Sequence, residues 1–208
     1  MSSVSNSEKL ASNHTPKCKQ LELQTKFGKS FRNSGTKLLP TVVNKGQETD
    51  YWCAPAAVQI ALSAKMSNPP SQSTIAAAIG TTANGTNFSV AINRYMNRLI
   101  HGPGDGYELR WCGNTSQQQL FNCVVNNIDQ GYAPVANGCS KGNWSEDSYI
   151  PGYPLTDIWH YVAVTGYKPG YVQIADPAWK LPGFNIQKYY FLSIREFRAF
   201  VSVRGIFW

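Results

Sequence analysis

Gln47-Glu-Thr-Asp-Tyr-Trp-Cys53-Ala-Pro-Ala-Ala-Val-Gln-Ile-Ala-Leu-Ser-Ala64 is the stretch on which the reading of this chain turns. A polar loop runs into an Ala-rich apolar segment, and a thiol stands at the junction. Pro55 suits the first turn of a helix, where no amide donor is needed. Asp50 or Thr49 is placed to cap it. Ala56, Ala57, Ile60, Ala61 and Ala64 fall on one broad stripe, so the spacing predicts a helix over 53–64 with close packing on one side. Its N-terminus presents partial positive charge and free amide groups, both favourable to a sulfur anion at Cys53. A thiol is a nucleophile as its thiolate.

Three histidines are available as a base. His14 lies in the leading segment, His101 in a glycine-rich turn, and His160 opens the apolar run Trp159-His160-Tyr-Val-Ala-Val-Thr-Gly-Tyr167. Tyr171-Val-Gln-Ile-Ala-Asp176-Pro follows. Lys168-Pro-Gly170 reads as a three-residue hairpin loop. Pairing Tyr167 with Tyr171 sets Val162 opposite Asp176, with His160 and Asp176 diagonal on one sheet face. A one-residue slip would separate them. An acid there orients an imidazole, the third role in a nucleophile–base–acid set. Gln47, six residues before Cys53, offers a carboxamide donor to a developing oxyanion, beside the Cys53 amide.

Around these residues the pattern predicts helices over 71–79, 87–99 and 117–129, closed by Gly80 at the first and Gly131 at the last. The second half reads as strands. Tyr132–Ala136 is expected at a sheet edge because it holds a proline, and a loop of about twenty residues over 137–156 follows it. Further strands fall at 160–167, 171–176 and near 187–192. Ser193-Ile-Arg-Glu196 is a capping box opening a last short helix. Helices followed by an antiparallel sheet define an α+β class.

Bulk properties bound the function. The 208 residues favour one core-bearing domain, and 42% hydrophobic content excludes a disordered chain. Of the net charge of +7, residues 1–45 carry eight basic and two acidic groups. The remainder holds eleven basic and ten acidic groups and is nearly neutral. Scattered lysines make the leading segment a solvated tail rather than a nucleic-acid surface. No apolar run is long enough to span a membrane. Besides Cys53 there are four cysteines, Cys18, Cys112, Cys123 and Cys139, enough for two disulfides in three connectivities. Cys123 also fits an apolar helical pattern, where a cysteine packs as a small hydrophobe. No Cys-x-x-Cys pair or phosphate-cradling glycine motif occurs, so neither a metal nor a cofactor is expected.

The segments Gln47…Trp52-Cys53-Ala-Pro-Ala-Ala57, His160 to Tyr167 and Asp176-Pro177 resemble the peptidase C39-like branch of the papain-like cysteine peptidase superfamily. The Gln-to-Cys and His-to-acid spacings are also similar to those of papain. Pro70–Ala76, Ile79–Thr82 with Gly85-Thr86, Gly131–Val135 and Ser193–Phe197 continue the likeness in the same order, over roughly residues 45–208. Ala54 departs from it, standing where the branch usually has glycine. The resemblance implies a papain-like fold, an N-terminal helical lobe packed on an antiparallel β-sheet lobe. The domain is expected over 41–208; residues 1–40, outside the likeness, are polar, Ser- and Lys-rich and poorly periodic, and read as a basic, partly disordered segment. The resemblance also implies a cysteine hydrolase cleaving peptide or amide bonds with Cys53, His160, Asp176 and Gln47, through a thioester.

Two alternatives remain at this level: an acyltransferase or peptidoglycan amidase using the same residues, and a non-catalytic binding module. Trp52, Trp159 and Trp179, which flank the three catalytic candidates, and Trp144 and Tyr149 of the long loop are the candidate substrate contacts, and Tyr153 lies in the same loop. A peptide or protein substrate is the expected partner, with a monomer favoured. The signal-less start leaves export by another route, as a secreted enzyme, effector or toxin, beside a cytoplasmic location.

Overall fold

The computed structural model describes residues 35–101, 106–142, 148–184 and 187–208. The leading segment through residue 34, with His14 and Cys18, lies outside them, as does Trp144. The described chain is an α+β fold. In order it forms β1 (Lys37–Leu38), α1 (Cys53–Ser63), α2 (Gln72–Ile79), α3 (Val90–Ile100), β2 (Leu109–Trp111), α4 (Gln117–Asp129) and β3 (Val135–Ser140). Then come β4 (Ile158–Lys168), β5 (Tyr171–Ala175), a 3-10 turn (Pro177–Lys180), β6 (Tyr189–Ser193), α5 (Ile194–Val201) and β7 (Gly205–Phe207).

Local side-chain caps start most of the helices; α3 begins at Val90 behind a Ser89 cap, three residues later than the expected residue 87. Ser71 caps α2 by accepting from the Thr74 amide, and Gly80 closes it at φ 71°. Ser116 and Gln119 form a reciprocal capping box on α4, and Ser193 and Glu196 form another on α5. Helix α1 is the exception. Trp52 occupies its cap position and supplies no side-chain bond, so neither Asp50 nor Thr49 caps it. Its core-facing stripe, not a cap, holds it: ten of its eleven residues are buried.

Seven antiparallel strands form the sheet, in the order β2-β7-β3-β4-β5-β6, with β1 paired to β4. The strand expected at an edge is instead β3, flanked by β7 and β4. Pro134 precedes it, so the missing amide falls outside the strand, while its carbonyl accepts from the Val164 amide. The strand also runs on to Ser140, shortening the long loop that was expected from residue 137. Gly138 permits this course, because a side chain there would collide with the Phe200 carbonyl of α5.

Alternation along β4 separates two helical layers. Val162 and Val164 pack with α4 and α5 through Leu120, Val124, Phe197 and Phe200. Tyr161 packs with α1, α2 and α3 through Ala57, Ala61, Ile75 and Met96, and Ala163 meets Ile60 of α1. Helices therefore cover both faces of the sheet, and α4, read with the leading helices, lies across it from them.

Strands β4 and β5 join through a tighter turn than expected. Lys168 pairs Tyr171, leaving Pro169 and Gly170 as the loop. Val164 then pairs Ile174 while Gly166 pairs Gln173, so Thr165 is an extra residue bulged from β4. Beyond the bulge Ala163 pairs Ala175. This restores the expected level of Val162 with Asp176.

Two disulfides among the four remaining cysteines do not form. Cys112 and Cys139 are buried thiols, whereas Cys123 is disulfide-bonded. Burial pushes the Cys112 thiol up to about 12. No helix among the described residues is long and apolar enough to cross a membrane.

Candidate active site

The uncapped start of α1 places Cys53 at a partly exposed position among buried neighbours. The first helical bond runs from the Ala56 amide to the Trp52 carbonyl. Pro55 has no amide hydrogen, so the N–H groups of Cys53 and Ala54 are the donors this terminus offers.

His160 is buried in β4, and its Nε2 lies 2.9 Å from Oδ1 of Asp176. Cys53 also acts on the ring, by hydrogen bond and by charge, so the thiol lies within its reach. Burial disfavours the imidazolium. The Asp176 charge and hydrogen bond, aided by Cys53, outweigh that and raise the His160 pKa to about 10.

Asp176 is fully buried just past β5. Burial alone would raise its pKa, but the His160 charge and its hydrogen bonds hold it below the usual carboxylate value. Four donors converge on it. Oδ1 accepts from His160 and from the Ala178 amide at 2.8 Å, the latter capping the 3-10 turn. Oδ2 accepts from the hydroxyls of Tyr153 at 2.6 Å and Tyr190 at 2.8 Å. Both phenols are raised well above their ordinary value, first by burial and then by the Asp176 charge.

Gln47 is buried in a loop tied down on several sides. Its amide donates to the Pro177 carbonyl at 2.8 Å, next to Asp176. Asn44 donates to the Asp176 carbonyl at 2.8 Å and accepts from the Gly46 amide at 2.9 Å. Gln72 of α2 clamps the other side, donating to the Gly46 carbonyl at 2.7 Å and accepting from the Glu48 amide at 3.0 Å. Gly46 turns at φ 79°, against Trp179 and Lys180. The Gln47 Nε2 donates to the Thr49 carbonyl at 2.7 Å, which fixes the amide orientation, since a flipped amide would set two oxygens together. Its Oε1 is buried without a hydrogen-bond partner among the described residues.

The aromatic candidates separate. Trp159 lines a cleft of about 150 Å³ together with Cys53, Asn137, Tyr161, Arg204 and the 84–88 segment. Trp179 supports the Gln47 loop and carries Lys188 over its ring at 4.3 Å. Trp52 packs edge-on to Tyr51 at the helix start. Tyr149 lies against the core and donates to the Tyr153 carbonyl at 2.9 Å. Tyr153 is no cleft residue: it is buried, and its hydroxyl is spent on Asp176. Asn44, Gln72 and Tyr190 were not singled out from sequence. Ordinary polar and aromatic residues at these positions give no local signal, because their role arises only from contacts between distant segments.

The model of the Peptidase_C39 like family matches residues 40–199, and the chain belongs to that family. The fold is similar to the crystal structure of a candidate C39-like peptidase from Bacillus anthracis, at 14% sequence identity and a TM-score of 0.51. The match covers 84% of this chain and 97% of that one. No curated protein matches the chain.

Proposed function

We propose that this chain is a cysteine peptidase that cleaves peptide or amide bonds through Cys53, His160 and Asp176. The buried His160–Asp176 pair at 2.9 Å, with its ring in reach of the thiol at an uncapped helix start, carries this reading. His160 takes the thiol proton, and the sulfur attacks the substrate carbonyl. The amides of Cys53 and Ala54 and the second N–H of Gln47 Nε2 face the developing oxyanion. The imidazolium then gives its proton to the leaving amine, which departs as the thioester forms. Water, activated by the neutral ring, attacks the thioester and releases the acid and the free thiol. Asp176 holds the ring throughout, and its own orientation is set by Tyr153, Tyr190 and the Ala178 amide. Incubating the protein with a diverse peptide mixture and identifying fragments by mass spectrometry tests this. New termini that depend on Cys53 are expected, and equal cleavage by Cys53→Ala would overturn the reading.

A further inference from the structure

The cleft beside Cys53 contains one cation whose charge nothing in the proposed chemistry uses. Arg204 sits between α5 and β7, and its backbone is held at both ends. Its amide donates to the Val201 carbonyl at 3.1 Å, and its carbonyl accepts from the Cys112 amide at 2.9 Å. The side chain is thereby launched across the cleft, where its guanidinium lies 4.3 Å over the ring of Trp159. Trp159 is half exposed, so the pair forms part of the wall that a bound molecule would touch.

Arg204 and Cys53 line the same cleft, so the cation shares it with the sulfur. The Tyr161 phenol is raised first by burial and then by Cys53, while Arg204 opposes the shift. Tyr161 thus feels the sulfur and the guanidinium together. Arg204 donates to the Val203 carbonyl at 3.0 Å and makes no ion pair among the described residues. The rest of the lining is neutral: Asn84, Thr86, Asn87 and Asn137 supply amide and hydroxyl groups, and Phe88 an apolar patch. A guanidinium held over an indole face by cation–π attraction keeps edge N–H groups available in a planar fork, the geometry that matches a carboxylate.

We propose that Arg204, positioned by Trp159, is a carboxylate-recognition residue of the Cys53 cleft, selecting substrates that carry an acidic group near the reacting bond. This rests on the peptidase reading for its substrate class, but the recognition itself is independent of turnover. The carboxylate has two possible sources, an Asp or Glu side chain or the free C-terminus of a peptide.

The test uses the full chain carrying Cys53→Ala, immobilised, with three synthetic decapeptide series quantified by mass spectrometry. One series scans Glu through each position with an amidated C-terminus. The second scans Gln in the same way. The third repeats the Gln scan with a free C-terminal carboxylate. Retention of one acidic series about tenfold above the Gln amides is expected, as for a hydrogen bond to a charged group in a partly desolvated site. The Glu series winning assigns the side-chain source, and the free-acid series winning assigns the terminus. Adding Arg204→Gln should erase the preference, and Arg204→Glu should invert it, leaving the acidic series less retained than the Gln amides. Trp159→Phe, which keeps an aromatic face, should weaken it less than Arg204→Gln. Equal retention of all three series, no retention at all, or a preference that survives Arg204→Gln overturns the proposal. The wild-type chain, given the same peptides, separates the two readings. Cleavage without charge preference sinks the carboxylate site alone. An uncut library with Arg204-dependent retention sinks the peptidase reading alone.

Discussion

His160 and Asp176 meet at 2.9 Å because β4 carries one more residue than β5 between the hairpin turn and the site. Pairing of Lys168 with Tyr171, continued without interruption, would set Asp176 level with Ala163 and on the face opposite His160. The bulge at Thr165 moves the register by one and returns both to the same face. Outside the hydrogen-bonded ladder, the Thr165 hydroxyl donates to Oε1 of Gln173 at 3.0 Å, and its carbonyl accepts from the Leu39 amide of the β1 segment.

Deletion of Thr165 should therefore abolish peptide cleavage in a chain that still folds, whereas Thr165→Ala should keep most of the activity. Circular dichroism paired with the fragment assay reads both. An active deletion variant would show that the bulge does not set the pair.

The charged pair predicts a stability profile with two limbs. The His160 pKa is raised, so its contribution is complete below the unfolded value of about 6.5 and is lost as pH rises through about 10. The Asp176 pKa is lowered, so its contribution is present above the unfolded value of about 3.9 and is lost as pH falls through the depressed value. Urea midpoints of the wild-type chain and Asp176→Asn should differ most between about pH 4 and 6.5 and converge toward both extremes. A difference independent of pH would contradict the charged pair.

Tyr153 and Tyr190 share one carboxylate oxygen, and this predicts non-additive losses. Each Tyr→Phe change should cost roughly 1.5–3 kcal/mol of stability, as for a hydrogen bond to a charged group. The double variant should lose more than the sum, because Asp176 Oδ2 is then left without either hydroxyl. Strict additivity in a denaturation cycle would mean the two bonds are independent.

Gln72 is expected to act at a distance through the Gln47 loop. Gln72→Glu keeps the acceptor for the Glu48 amide and loses the donor to the Gly46 carbonyl. On the proposed mechanism, in which Gln47 serves the oxyanion rather than substrate binding, peptide cleavage should fall chiefly in kcat, with little change in KM. A change confined to KM would place Gln72 in substrate binding instead.

Much of the local structure was legible because its causes are local. Ser71, Gly80, Ser116 and Ser193 mark helix ends through bonds spanning a few residues, and those ends lie within a residue of expectation. The α+β class followed from the same signals. The pieces that escaped depend on distant partners. Strands β1, β2 and β7 are two or three residues long and exist only by pairing with β4, β7 and β3. The interior place of β3 depends on Gly138 meeting α5. At the site, the types of Cys53, His160, Asp176 and Gln47 stood out in the chain, and the level of Val162 with Asp176 came from two compensating departures, a tighter turn and a bulge. The tyrosines that hold Asp176 left no such mark, since a buried tyrosine reads as core until its hydroxyl is seen to reach a carboxylate.

The coupling of Cys53 to His160 is measured most directly by alkylation. Iodoacetamide at pH 6, with peptide mapping of each cysteine, should modify Cys53 of the wild-type chain at least about tenfold faster than Cys53 of His160→Gln, while the buried thiols of Cys112 and Cys139 lag behind. Equal Cys53 rates in the two proteins would contradict the account, because the imidazole would then have no hold on the sulfur.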